Sequence, residues 1–392
     1  MSDILSNIQD AAADMEDGPA FALPQFIAVE AGALGQVLGF IAAEGWSQPL
    51  FVADEHTLEA AGADLVRECK EAGIPVETTI VLPNAQGDVI ADEASVVQVL
   101  LDIQKHKADA IVVVGSGTLH DIARYAAYTA DIPFVSVPTA PSVDGFTSNG
   151  SPLIIRGNKV TIPAAGPVAI FADTELLRTA PAPMIAAGFG DMLGKYTSLF
   201  DWKFGRLTAD EPYSATVAEI TEKALLACVS HAEEIGNHTE LGIRVLTEAL
   251  MESGLAILLF GQSHSASGAE HHLSHYWEME YIRTGRRQLL HGAKVGVACA
   301  EISALYHRLA ASQGLEDQEQ WEQVLEEISK LPPPETLRGL LRTVHGPSLL
   351  EELGVEEDLL RRSLAEAHLI RMNRHTLLRA RNEGKIVEAA AE

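Results

Sequence analysis

The chain has 392 residues, enough for two domains that each bury a core, and its 47% apolar content suits a globular protein rather than a disordered scaffold. A formal net charge of -27 disfavours any broad phosphate-binding face, so neither nucleic acid nor an anionic membrane is an expected partner. An anionic small substrate must be held by a local site against that overall field.

Residues 1–20 are acidic (Asp3, Asp10, Asp14, Glu16, Asp17) and lack the basic-then-apolar order of a signal peptide, so they read as a loosely ordered N-terminus. The tail from Glu383 to Glu392 reads the same way. No apolar run is long enough to span a bilayer, and Cys69, Cys228 and Cys299 are widely spaced without a C-x-x-C pair. These features imply a soluble cytoplasmic protein with reduced, mostly buried thiols.

From residue 21 to 181, short β-branched runs alternate with helical stretches: Gln25 to Val29, Pro49 to Ala53, Val76 to Val81, Ala110 to Val114, Phe134 to Pro138 and Val168 to Ala172. Apolar runs of that length between helices predict buried parallel strands of an α/β nucleotide-binding domain. The Val160-Thr161-Ile162 patch beside Gly157-Asn158 predicts a hairpin added to that sheet. Asp54 ends the second run, where a carboxylate can accept from a ribose 2′-hydroxyl and repel a 2′-phosphate; a helix N-cap is the competing role.

The fourth run leads into Gly115-Ser116-Gly117-Thr118-Leu119-His120-Asp121. A strand ending in small residues and running straight into a helix lets backbone N–H groups face a pyrophosphate. The pattern departs from G-x-G-x-x-G, because His120 occupies the third glycine position. A tight turn with a Thr118 to Asp121 capping box is the simpler alternative. The next loop, Pro138-Thr139-Ala140-Pro141-Ser142-Val143-Asp144-Gly145-Phe146-Thr147-Ser148, follows the neighbouring strand, where an open sheet places its ligand. Its prolines and glycine can equally serve only to turn the chain.

From 182 to 392 the strand signals fade, and helical periodicity runs through Ser214 to Gly236, Thr239 to Leu259, Val295 to Gln313 and Glu356 to Asn382, with breaks at Gly314 and Pro332-Pro333-Pro334. An all-helical domain is expected there, with the active site in the cleft between the halves. Asp191, in Gly188-Phe189-Gly190-Asp191, opens a helical segment, while His271 and His291 lie in Ser267-Gly268-Ala269-Glu270-His271 and Leu290-His291-Gly292. A carboxylate and two imidazoles can hold one divalent metal and leave a position open for substrate. Against this, Asp191 can simply cap the helix from Met192. His271 and His275, four apart on one helix face, form the alternative metal pair.

Together the motifs Asp54, Gly-Ser-Gly-Thr-x-x-Asp, Pro-Thr-Ala-Pro-Ser-x-Asp-Gly, Gly-Phe-Gly-Asp-x-x-x-Lys, Ser-Gly-Ala-Glu-His-x-x-Ser-His and His-Gly resemble the sn-glycerol-1-phosphate dehydrogenase family. The resemblance is closest to its bacterial branch and covers roughly residues 25 to 300. That family belongs to the superfamily of dehydroquinate synthase, glycerol dehydrogenase and iron-containing alcohol dehydrogenases. The resemblance implies a dehydroquinate-synthase-like fold and metal ligands Asp191, His271 and His291. Asp191 then also lies close to substrate, and Asp144 and His275 contact it. Cofactor contacts fall on Asp54, Gly115, Ser116, Gly117, Thr118, Asp121, Thr139 and Ser148.

The implied chemistry is reduction of dihydroxyacetone phosphate at C2 by NADH, or NADPH, with the metal as Lewis acid and His275 and Asp144 orienting substrate or relaying a proton. Zinc, nickel and ferrous iron all suit two imidazoles and a carboxylate; the resemblance to the bacterial branch adds weight to nickel, and zinc and nickel stand as joint candidates. A homo-oligomer is expected by analogy. Lys195, Lys203, Arg371 and Arg374 are candidate phosphate anchors. Glycerol dehydrogenase is the alternative activity, and a dehydroquinate-synthase-like cyclase or a silent binding protein are more distant ones.

Overall fold

The computed structural model describes residues 3–15 and 18–386. Its sheet strands are β1 (Phe26–Glu30), β2 (Pro49–Ala53), β3 (Glu77–Ile80), β4 (Ala110–Gly115), β5 (Phe134–Pro138) and, after a hairpin of β6 (Gly150–Ile155) and β7 (Asn158–Pro163), β8 (Ala169–Asp173). The main sheet runs β1-β8-β5-β4-β2-β3 and every pair in it is parallel. Strands β2, β4, β5 and β8 are buried throughout, which is why they read as unbroken apolar runs.

Helices of eight residues or more are numbered α1 to α14: α1 (Asp3–Ala13), α2 (Val37–Glu44), α3 (Ala63–Glu71), α4 (Glu93–His106), α5 (Gly117–Ala130), α6 (Ala182–Leu193) and α7 (Lys195–Ala209) come first. Then follow α8 (Ala215–Ser230), α9 (Glu240–Phe260), α10 (Ala269–Arg283), α11 (His291–Leu309), α12 (Gln318–Lys330), α13 (Pro334–Thr343) and α14 (Glu357–Glu366). Alternation along β4 divides the first core: Ile111 and Val113 pack with Val96, Val99 and Ile122, while Val112 and Val114 pack with Val37, Ile41 and Leu65. The sheet is thus sandwiched by α4 and α5 on one face and α2 and α3 on the other.

Three expectations are corrected. The N-terminus is not loose over its described part: α1 buries Ile4 and Ile8 in one core with Leu255 and Leu258 of α9, because its apolar residues recur four apart on one face. The tail is packed as far as Ile386, which is buried beneath Leu377 and Leu378, while residues 387–392 lie outside the described part. The hairpin forms its own two-stranded sheet instead of extending the main one; Leu153 packs into the core that Ile111 and Val113 share with α4 and α5, and Ile154 bridges Asp92 at the head of α4.

The predicted helix from Val295 begins earlier, at His291, and the predicted run Glu356 to Asn382 is broken into α14, a turn of 3-10 helix at Ala367–Arg371 and a short helix at Leu377–Asn382. The proline run ends α12 and starts α13, since Pro334 sits at the first helical position, where no N–H is needed.

Candidate metal and substrate site

The register Gly115↔Pro138 sets the β4–α5 and β5 loops side by side at the carboxyl end of the sheet. Opposite them stand α6, α10 and α11. Between lies a cavity of about 700 Å³, lined from the sheet side by Ser116, Gly117, Thr118, Asp144 and Ser148 and from the helical side by His271, His275 and His291.

Asp191 lies in the last turn of α6, wholly buried, and not at a helix start; the capping role is therefore ruled out. What brings it to the two imidazoles is close helix packing. A methyl group on Gly292 would overlap the Ala187 carbonyl oxygen, and one on Gly188 would overlap that of Pro141. Only hydrogen at these two positions lets α6 touch both α11 and the β5 loop. The Gly-x-Gly-Asp and His-Gly motifs are thereby explained as points of backbone approach beside two functional side chains.

The carboxylate of Asp191 is divided between two tasks. Oδ2 accepts the Asp144 backbone N–H at 2.9 Å, and Oδ1 faces Lys195 Nζ at 3.3 Å, His271 Nε2 at 3.6 Å and His291 Nε2 at 4.0 Å. One donor atom from each of Asp191, His271 and His291 falls within 4.8 Å of the others. A tetrahedral ion about 2.1 Å from each donor sets donor separations of roughly 3.4 Å, so the cluster is close to metal-binding spacing. His271 Nδ1 lies 2.7 Å from Glu270 Oε1, an acceptor for the Nδ1 proton, and this turns Nε2 toward the Asp191 oxygen. At 3.6 Å the Nε2–Oδ1 contact is longer than a normal hydrogen bond, and either a proton on Nε2 or a cation between the two atoms would satisfy it. The residues fit a divalent metal.

Burial works against ionisation of Asp191, but the Lys195 ammonium and the two imidazoles hold its carboxyl well below the usual range. Burial also keeps His275 and His291 uncharged, well below the ordinary imidazole value. His271 shifts the other way: against its burial, Asp191 and Glu270 raise its pKa. His275, one turn on from His271 with ring centroids 6.1 Å apart, has no hydrogen-bond partner for either nitrogen among the described residues. It lies 5.9 Å from the His291 ring, so all three imidazoles share one wall.

Lys195 was among the candidate phosphate anchors and is corrected. Its ammonium is wholly buried and held by Asp144 Oδ2 at 2.8 Å, Asp191 Oδ1 at 3.3 Å and the Ala266 carbonyl at 3.3 Å. It is an internal counter-ion. Lys203 pairs with Glu327 and Arg374 with Glu211, and neither lines the cavity; Arg371 does. The Asp144 carboxylate also accepts from Ser253 Oγ at 2.9 Å, again on Oδ2.

In the loop after β4, Ser116 is the N-cap of α5 and the Thr118 to Asp121 capping box does not form. Asp121 instead accepts from Arg124 at 3.1 Å. The same guanidinium donates to the carbonyls of Gly145, Phe146 and Gly150 and so ties the two loops together. His120 turns away from the loop: wholly buried, it reaches the Ser116 carbonyl at 2.9 Å and Ser136 Oγ at 2.7 Å. Gly115 and Thr139 sit behind the cavity wall, the Thr139 N–H donating to the Gly115 carbonyl. Asp54 does not line the cavity; its Oδ1 accepts the Thr57 N–H at 2.8 Å in a capping box.

Two features escaped the sequence reading. Glu270 orients His271, and its second oxygen accepts from Thr197 Oγ1 at 2.6 Å; a carboxylate next to a candidate metal-ligand imidazole is the available signal. Glu278 on α10 receives both Lys159 of β7 at 2.8 Å and Lys294 of α11 at 2.7 Å, binding the hairpin to the helices. Nothing in the local sequence pairs those three.

The family described as "Iron-containing alcohol dehydrogenase" matches residues 28–181. The fold is shared with a probable glycerol dehydrogenase from Sinorhizobium meliloti 1021 (TM-score 0.68, 17% identity, 92% of this chain and 93% of that one). It is also shared with a sulfoacetaldehyde reductase from Bifidobacterium kashiwanohense in complex with NAD+ (TM-score 0.67, 16% identity, 93% and 98%). In sequence the chain is 47% identical over 371 residues to a glycerol-1-phosphate dehydrogenase [NAD(P)+] of Geobacillus stearothermophilus, across 91% of this chain and 92% of the relative. The chain belongs to the glycerol-1-phosphate dehydrogenase family.

Proposed function

We propose that this protein catalyses the reversible NAD(P)H-linked reduction of dihydroxyacetone phosphate to sn-glycerol 1-phosphate. The observation that carries the reading is that Asp191 comes within 4.8 Å of His271 and His291, which line the cavity that the Ser116–Thr118 loop also enters, in a chain of this family. These three residues would hold one divalent metal, which supplies a Lewis acid for the substrate carbonyl when bound. Zinc and nickel are the proposed metals, iron the next.

Each remaining role belongs to a protein group. The α5 N-terminus and the backbone N–H groups of Ser116, Gly117 and Thr118 receive the dinucleotide pyrophosphate, Ser148 lies along its path, and Asp54, outside the cavity lining and with its cap bond on Oδ1 only, uses Oδ2 to accept from the ribose of NAD where the dinucleotide runs past the cavity. Asp121, clamped by Arg124, fixes the loop, and Gly115 and Thr139 support it from behind. Both bonds to the Asp144 carboxylate fall on Oδ2, leaving Oδ1 for a substrate hydroxyl. His275, kept neutral by burial and lacking an internal partner, donates to or accepts from the substrate oxygen as the proton is exchanged with water.

The division into residues 21–181 for cofactor and 182–392 for metal and substrate is part of the same reading. Three free, buried cysteines suit a reducing, cytoplasmic compartment, and no described helix is long and apolar enough to cross a membrane. Exposed Val97 and Leu101, one turn apart beside Leu82, support assembly as a homo-oligomer.

The test is NADH oxidation by chelator-stripped protein reconstituted separately with zinc and nickel, with dihydroxyacetone phosphate and with dihydroxyacetone as control. Metal-restored turnover of the phosphorylated substrate, giving a product that an sn-glycerol-3-phosphate-specific dehydrogenase does not oxidise, is the expected result. Turnover of dihydroxyacetone alone would move the activity to glycerol dehydrogenase.

A further inference from the structure

Four cations line the cavity, and three are already engaged. Lys159 and Lys294 share the Glu278 carboxylate, at 2.8 and 2.7 Å. Arg286 stacks on Tyr281, its guanidinium carbon 4.0 Å from the ring centroid, and donates to the Gly354 carbonyl. Arg371 differs: it donates to two neutral hydroxyls, Ser267 Oγ at 2.7 Å and Ser263 Oγ at 3.3 Å, and has no carboxylate partner among the described residues. Both serines line the cavity with it. Ser267 directly precedes Gly268, the cap of α10, whose first turn carries His271.

Resting on the proposed reaction, we infer that Arg371, held by Ser263 and Ser267, anchors the phosphate of the substrate and makes the cavity selective for a phosphorylated triose. A guanidinium left without an acid inside a cavity is a site for an anionic ligand, and its planar fork matches phosphate oxygens. The two serines fix that fork without neutralising it. In a chain of net charge -27, Arg371 is the one cavity cation without an acidic or aromatic partner among the described residues, bonded to Ser267, four residues before His271, and so offers an anion a local site against the overall field. Burial, with Arg374 as a like-charged neighbour, pulls the Arg371 pKa down to about 10, in keeping with a missing counter-charge.

The experiment compares wild type, Arg371→Met, Arg371→Lys and Lys159→Met for turnover of dihydroxyacetone phosphate and dihydroxyacetone, and titrates each with inorganic phosphate by calorimetry in the metal-loaded state. Arg371→Met is expected to raise KM for the phosphorylated substrate roughly 100-fold, leave dihydroxyacetone turnover within about twofold and abolish phosphate binding, with partial recovery in Arg371→Lys. Equal loss on both substrates, or phosphate-selective loss in Lys159→Met with Arg371→Met unaffected, would overturn the assignment. If wild type turned over neither substrate, the proposed reaction would fail, while loss of phosphate binding in Arg371→Met alone would still uphold the anion site.

Discussion

Replacing Lys195 by Met removes the ammonium while keeping an unbranched chain of similar length. Two unit charges 3.3 Å apart interact by about 5 kcal/mol at an effective dielectric near 20, before desolvation is counted. Breaking a buried pair by deleting one partner costs about 3–5 kcal/mol, because the other charge is left uncompensated. Here Asp191 and Asp144 are both left, so metal-stripped protein should lose about that much in urea unfolding. The metal-loaded protein should lose less, since Asp191 Oδ1, the oxygen nearest Lys195, is also the one facing both imidazoles. A difference of about 2 kcal/mol between the two states corresponds to metal binding roughly 30-fold tighter in the variant. The assay is paired urea unfolding with chelator and with metal, joined to a direct metal titration. An equal loss in both states, or weaker metal binding, would refute the reasoning that Lys195 and the metal compete for one oxygen.

Two further outcomes follow from the loops. His120 is buried and uncharged, its pKa lowered to about 3 chiefly by burial, so the unfolded chain takes up its proton first as pH falls. Its contribution is present above pH 6.5 and lost on acidification, amounting to about 2 kcal/mol at pH 5; the stability gap between wild type and His120→Asn should narrow by that amount between pH 7.5 and 5, and a constant gap would show the ring is charged when folded. Asp54→Ala should lower stability by about 1 kcal/mol through its lost capping box and relax discrimination against NADPH; an unchanged cofactor preference would leave Asp54 a cap alone.

Much of the fold could be read directly. The buried parallel strands announced themselves because burial on both faces requires unbroken β-branched runs, as in Ile111 to Val114. The proposed metal triad came from motif resemblance, and the structure brings its three donors within 4.8 Å of one another, whereas helical spacing alone pointed to His271 and His275. The choice of His291 depends on α11 lying against α6 at Gly292, a contact between residues a hundred apart in the chain. Lys195 was misread as a phosphate anchor because a lysine's partners are invisible in sequence; its position four after Asp191 on consecutive helical turns was the one local hint. Acidity in the first twenty residues suggested disorder, yet Ile4 and Ile8 repeat at four, and one apolar stripe suffices when a partner surface waits for it.

That partner surface is on α9, which ends at Phe260. During synthesis, Ile4 and Ile8 leave the ribosome about 250 residues ahead of the helix they cover, and at about 5–20 residues per second that interval lasts roughly 12–50 s. For that time α1 is an amphipathic segment with nothing to lie on. The exposed Asp10 on the face opposite Ile4 and Ile8 helps keep it dissolved while it waits.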